Sequence, residues 1–215
     1  MQDRAGALSW RGGKRKVYPD VKRGIDIGLV LLLTPVVVPV IGLLALLVAS
    51  DGYPAFFVQS RVGRNRRDFS MWKLRTMVCD AEERLQVYLA SDPVASEEWS
   101  KNQKLAYDPR ITPIGRVLRK YSLDELPQLF NVLRGDMSLV GPRPMCLHQQ
   151  DLYPRSEYYE MRPGITGLWQ VSERNLCSFS ERAHYDSEYA SSFSFATDMR
   201  ILWRTTAVVL RGTGL

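Results

Sequence analysis

One stretch of the chain is apolar without interruption. From Ile27 to Ala49 no side chain is charged, and Thr34 is the only polar one. About 20 such residues make a helix of membrane length. Pro35 and Pro39 lie inside the run; each removes a backbone donor and bends a helix. The Thr34 hydroxyl is placed to serve a carbonyl freed nearby. Basic residues flank both ends almost equally: seven Lys/Arg in residues 1–24 and six in residues 51–75. Positive charge stays on the cytoplasmic side, so both ends are expected on one face. The pattern predicts a re-entrant hairpin over residues 23–50, broken at Thr34-Pro35. A kinked single span is the alternative.

Around this run the pattern changes. Residues 1–22 are polar and basic and read as an arm. Residues 51–215 read as a separate domain. Ala55 to Gln59 and Phe69 to Met77 have strand composition and flank the basic turn Arg61–Arg67, which predicts a hairpin. Asp80 to Leu89 reads as helix. Residues 91–110 are polar, with Pro93 and Pro109, and read as loop with some helix. Ile114, Val117, Leu118 and Tyr121 share one helical face; Arg116, Arg119 and Lys120 share the other. That is a short basic amphipathic helix, suited to a membrane surface or to half-burial in a core. Leu126 to Leu133, Phe179 to Tyr189 and Phe195 to Leu210 read as helices. Met137 to Val140 reads as an extended segment entering a rigid turn, and Pro163 to Gly167 as another turn. The fold class expected is α+β, mostly helical, with one small hairpin.

Charge sharpens this picture. Residues 1–75 hold 13 Lys/Arg against 5 Asp/Glu, whereas residues 76–215 hold 16 against 18. A basic N-terminal third facing a neutral remainder points to an anionic partner, membrane or nucleic acid. No helix-turn-helix or RNA-binding signature supports nucleic acid. Cys79, Cys146 and Cys177 are far apart, and His148 and His184 are the only histidines. A disulfide framework and a Cys/His zinc site are poor readings, and a reducing, cytosol-facing location fits better. Walker, GxSxG, HExxH and GxGxxG patterns are absent, which removes the common P-loop, hydrolase, zincin and dinucleotide readings.

Candidate chemistry centres on Asp124 and Glu125. The spacing Ser122-x-x-Glu125 fits a capping box. The same geometry serves catalysis: one ionised carboxylate can attack phosphorus while its neighbour holds a magnesium ion on a phosphate. Arg143 sits between Pro142 and Pro144, on a stiff backbone suited to bidentate phosphate binding. Lys73 and Arg75, two apart, would share a strand face as a phosphate clamp or as solvated charges.

In order along the chain stand Lys22-Arg23-x-x-Asp26, Phe56-Phe57-x-Gln59-x-Arg61-x-Gly63, Lys73-x-Arg75-Thr76-Met77 and Asp108-x-Arg110-Ile111-Thr112-x-x-Gly115. Leu118-Arg119-Lys120-x-Ser122-Leu123-Asp124-Glu125-Leu126-Pro127-Gln128 and Asn131-Val132-Leu133 follow. Gly135-Asp136-Met137-Ser138-Leu139-Val140-Gly141-Pro142-Arg143-Pro144 comes next. Arg162-Pro163-Gly164-Ile165-Thr166-Gly167-x-Trp169-Gln170, Asp186-x-x-Tyr189 and Asp198 complete the series. From about Lys22 onward the chain resembles the bacterial sugar transferases, the monotopic phosphoglycosyl transferases. The resemblance implies transfer of a sugar-1-phosphate from a UDP-sugar to a polyprenol phosphate, with release of UMP. It implies a ping-pong reaction in which Asp124 becomes a phosphosugar ester and Glu125 sits at a Mg²⁺ ion. It places Lys73, Arg75, Arg119, Pro142, Arg143, Pro144, Arg174 and Asp198 in the substrate-binding region, and the membrane break at Thr34-Pro35.

The implied location is the cytoplasmic face of a bacterial inner membrane, with interfacial helices on the lipid and no nucleic-acid partner. The aromatic C-terminal helices could support a homodimer. A catalytically silent partner of a polysaccharide assembly complex, and a single-span enzyme moving sugar alone, are the competing readings. Three positions depart from the family pattern: Arg66 and Glu173 stand where Gly is common, and Asp51-Gly52-Tyr53-Pro54 replaces a Ser-x-Gly-Pro pattern.

Overall fold

The computed structural model describes residues 13–102, 105–153, 156–172 and 179–212. The apolar run lies in one long helix, α1 (Gly13–Ala49). It is the one described helix long and apolar enough to cross a membrane. The helix begins ten residues earlier than the boundary expected for the polar arm. It also continues through Thr34-Pro35, where the sequence predicted a break. The Thr34 hydroxyl donates to the Val30 carbonyl at 2.8 Å, a local bond of the kind that bends a helix without ending it.

Most of α1 is bare: Leu32, Val36, Leu43 and Leu46 are exposed. Lys22, Asp26, Val30, Ile41 and Val48 are buried, and their spacing puts them on one helical face. Polar side chains fasten both ends of its apolar run to the remainder. Asp26 accepts from Ser138 Oγ at 2.7 Å and from Leu139 N at 3.3 Å. At the far end Arg75 donates to the Val48 carbonyl at 3.1 Å.

After α1 the chain forms a hairpin, β1 (Phe56–Val62) against β2 (Asp68–Leu74), antiparallel, with Val58 opposite Trp72. The turn needs left-handed backbone at Asn65 and Arg66, with φ of 57° and 59°. Gly adopts that conformation without strain, whereas Arg66 carries a side chain there. Here the Arg66 guanidinium lies 4.0 Å over the Tyr159 ring, a contact that offsets part of the strain.

Helices α2 (Ala81–Ser91) and α3 (Pro93–Asn102) pack as a pair. Helix α4 (Pro113–Lys120) starts on Thr112, whose hydroxyl accepts from Gly115 N at 2.9 Å. Helix α5 (Gln128–Arg134) ends at Gly135 in left-handed geometry. Arg23 of α1 donates to the carbonyls of Val132 and Leu133, which are orphan acceptors at the α5 C-terminus.

Two strands of three residues, β3 (Ser138–Val140) and β4 (Gly164–Thr166), pair in parallel. The backbones approach so closely beside Gly141 that a Cβ there would lie 2.4 Å from the Arg162 carbonyl oxygen. Helices α6 (Leu168–Val171), α7 (Phe179–Ser191) and α8 (Phe195–Arg211) close the chain. The main core joins α1, β2, α5, β3, α7 and α8 through Val30, Met71, Val132, Leu139, Tyr189 and Ile201. The fold is therefore α+β and mostly helical, with two small sheets.

Candidate active site

Asp124 and Glu125 sit in a tight 3-10 turn, Leu123–Glu125, between α4 and α5. The chain reaches that turn through Ser122 at φ 56°. The capping box suggested by Ser122-x-x-Glu125 is not formed: Ser122 makes no capping bond, and its left-handed backbone points the chain elsewhere. Glu125 turns instead to two cations. Lys73 Nζ lies 3.1 Å from Glu125 Oε1, and Arg143 Nη2 lies 3.4 Å from the same oxygen. Lys73 Nζ is also 3.9 Å from Asp124 Oδ2.

Each cation has a reason for its position. Lys73 is at the end of β2, held in register opposite Phe57. Arg143 follows β3 in the loop between two prolines, and the Pro142 carbonyl accepts from Gly164 N at 2.8 Å. Arg119, on the last turn of α4, donates from Nε to Thr76 Oγ1 at 2.9 Å. Asp124 is 7% exposed. Burial pushes its carboxyl above the usual carboxylate range and Glu125 adds to this, against the opposing pull of Lys73, Arg119 and Arg143. The result is a buried carboxylate near a charge-rich rim, a setting that suits a nucleophile.

Other sequence-predicted residues go elsewhere. Arg75 lies one residue past the end of β2 and does not join Lys73. It pairs with Asp51 at 2.6 Å and donates to the carbonyls of Pro54 and Val48. Asp198, on α8, is bonded by Lys22, Tyr18 and Tyr189. Arg174 and Glu173 lie outside the described residues. Thr34 and Pro35 belong to the exposed middle of α1. Among the described residues no group of three or more His, Cys, Asp or Glu forms a ready metal cage. A single carboxylate such as Glu125 would still be a sufficient protein share for Mg²⁺, which takes its other ligands from water and substrate phosphates.

Sequence reasoning missed a recess beside Arg143. Pro144, Met145, Tyr153, Trp169, Arg182 and Asp186 line it with Arg143. The Arg182 guanidinium lies 4.2 Å over the Trp169 ring. Arg182 and Asp186 are four apart on α7, a spacing that was readable as a helical pair. Tyr153 OH donates to Asp186 Oδ2 at 2.5 Å. Burial nevertheless raises the Asp186 carboxyl to about 6, with Tyr153 and Arg182 opposing it.

The raised value sets a stability prediction. As pH rises from about 4 to about 6, the folded state keeps a proton that the unfolded chain has released, so stability falls across that window. Asp186→Asn should therefore stabilise the protein near pH 7.5, by up to about 3 kcal/mol. The gain should shrink towards pH 4. Chemical denaturation at both pH values checks it, and a gain independent of pH would refute the burial account.

The pattern of the family described as "Bacterial sugar transferase" matches residues 17–212. Over 196 residues the chain is 46% identical to "Undecaprenyl-phosphate galactose phosphotransferase" of Salmonella typhimurium, covering 90% of this chain and 41% of that protein. It is 41% identical over 209 residues to "Exopolysaccharide production protein ExoY" of Sinorhizobium fredii, covering 94% and 91%. The N-acetylgalactosaminephosphotransferase of Aeromonas hydrophila is 34% identical over 207 residues, covering 92% and 45%. The chain thus spans about four-tenths of the first of these and nearly all of the second. With the Asp124-Glu125 turn, the Gly-Pro-Arg-Pro loop and Lys73 all inside the matched region, the chain belongs to the bacterial sugar transferase family.

Proposed function

We propose that this protein transfers a sugar-1-phosphate from a UDP-sugar to undecaprenyl phosphate, releasing UMP and starting polysaccharide or glycoconjugate synthesis. The observation that carries the reading is the buried Asp124 carboxylate beside Glu125, Lys73 and Arg143. Asp124 attacks the β-phosphorus, an Asp–O–P bond forms, and the bond from phosphorus to the UMP oxygen breaks. A phosphate oxygen of the polyprenol phosphate then attacks the same phosphorus. The Asp–O–P bond breaks, and Asp124 returns as a carboxylate. Lys73, Arg119 and Arg143 hold the phosphoryl oxygens while negative charge builds on them. A Mg²⁺ held by Glu125 would neutralise the donor phosphates and ease departure of UMP.

The reaction sets a demand on location. The acceptor phosphate lies at headgroup level on a greasy tail, so the carboxylate must work at the membrane surface. A re-entrant α1 on the cytoplasmic face of the inner membrane meets that demand. Support comes from the matched basic flanks, from Pro35 and Pro39 with the Thr34 bond, and from attachment of both ends of the apolar run to one domain. Val117 and Tyr121 of α4 are exposed beside Arg116 and Lys120, and suit the headgroup layer.

The test is UMP release from a panel of UDP-sugars, with undecaprenyl phosphate and Mg²⁺, by the protein embedded in lipid. UMP is the expected product, and the active donor names the sugar. UDP in its place rejects the phosphosugar ester. No turnover of any UDP-sugar favours the catalytically silent reading.

A further inference from the structure

Arg61 is a charge the site does not yet use. Val62 N donates to the Met145 carbonyl at 3.1 Å, in an isolated antiparallel bridge. That bridge lays the end of β1 along the Gly-Pro-Arg-Pro loop and sets Arg61 against Cys146. Arg61 Nη2 donates to Gln59 Oε1 at 2.6 Å, and Nη1 faces the Cys146 sulfur. Neither partner is a carboxylate. Among the described residues no carboxylate lies within ion-pair distance of this guanidinium. Its Nε is sealed from solvent without an acceptor. Burial works against its charge, Cys146, Tyr158 and Glu125 favour it, and Arg143 repels it. Glu125 is engaged by Lys73 and Arg143.

A half-buried guanidinium with no carboxylate partner and an unpartnered Nε is costly to the folded chain. The cost is offset if an anion enters beside it. We propose that Arg61 is a positioning residue for the nucleotide donor, its guanidinium, which no carboxylate pairs, being complemented by the donor diphosphate bound at Arg143. It acts across Arg143, through the field and by keeping that side chain turned towards the substrate. The inference rests on the transferase reading above and adds a residue to it.

The experiment measures the UDP dissociation constant for the full chain in lipid nanodiscs, as wild type, Arg61→Gln and Arg61→Lys. Arg61→Gln should weaken UDP about tenfold or more, the scale of a lost charge-assisted interaction. Arg61→Lys keeps the charge and should recover most of the affinity. The donor KM should follow the same order while the acceptor KM holds. Equal losses in both variants would mean that the bonds to Gln59 and Cys146 matter, not the charge, and would overturn the inference. So would unchanged UDP affinity in a folded Arg61→Gln, which leaves the transferase reading standing. A wild type that fails to bind UDP overturns both.

Discussion

Asp124→Asn should release no UMP from any donor, a loss on the order of a thousandfold or more for removal of a covalent nucleophile. The substitution conserves shape and removes only the charge and the attacking oxygen. Because the Asp124 carboxyl is raised by burial, its neutral form is already tolerated by the fold, and Asn should not destabilise it. That separates chemistry from folding. Wild type incubated with donor alone should gain the mass of a phosphosugar on the peptide holding Asp124, and Asp124→Asn should gain nothing. The nucleophile must be ionised, so the wild-type rate should fall as pH drops through the raised Asp124 value. An Asp124→Asn enzyme that still released UMP would move the nucleophile elsewhere.

Why was this turn legible, and what was not? Spacing alone favoured a capping box for Ser122 and Glu125. The 3-10 turn uses the same spacing, and the left-handed Ser122 that separates the two is invisible in a residue pattern. The succession of motifs, not the local pattern, pointed to chemistry. The hairpin was readable because two apolar strands flank a basic turn. Its end was misjudged: β2 stops at Leu74, and although Arg75 N still donates to the Ala55 carbonyl at 2.7 Å, the Arg75 side chain caps α1 instead of joining Lys73.

The β3–β4 pair was read as one extended segment and one turn. Each strand has three residues, and the pairing joins positions 26 apart through a glycine contact that no short-range signal announces. Helix α3 did carry a signal that was passed over. Asp92 precedes Pro93, and its carboxylate accepts from Val94 N and Ala95 N, the marks of an N-cap followed by proline at the first turn. Arg61 was read as the start of a basic turn, and its contact with Cys146, 85 positions away, carries no local signal.

Asp198 carries the second large expected effect, and it concerns attachment of the membrane helix rather than the donor. Its carboxylate is 2% exposed. One oxygen accepts from Lys22 Nζ and Tyr18 OH, each at 2.6 Å, and the other accepts from Tyr189 OH at 2.7 Å. Both oxygens are thus engaged by α1 and α7. Lys22 has one further carboxylate at hand, Asp26 at 3.7 Å, itself held by Ser138 and Leu139. Asp198→Ala would leave a buried ammonium short of its main partner, a loss of about 3–5 kcal/mol. In a chain of this size that corresponds to a fall of roughly 10 °C in melting temperature. Asp198→Asn keeps the shape and one acceptor oxygen, while its NH2 group donates to a tyrosine hydroxyl that must turn to accept, and should lose less. Donor KM in Asp198→Asn, measured below its melting point, should match wild type, because the side chain is engaged between helices. A raised donor KM at unchanged melting temperature would return Asp198 to the substrate. A matched KM at lowered melting temperature makes it the clasp that keeps α1, and with it the membrane surface, in register with the Asp124 turn.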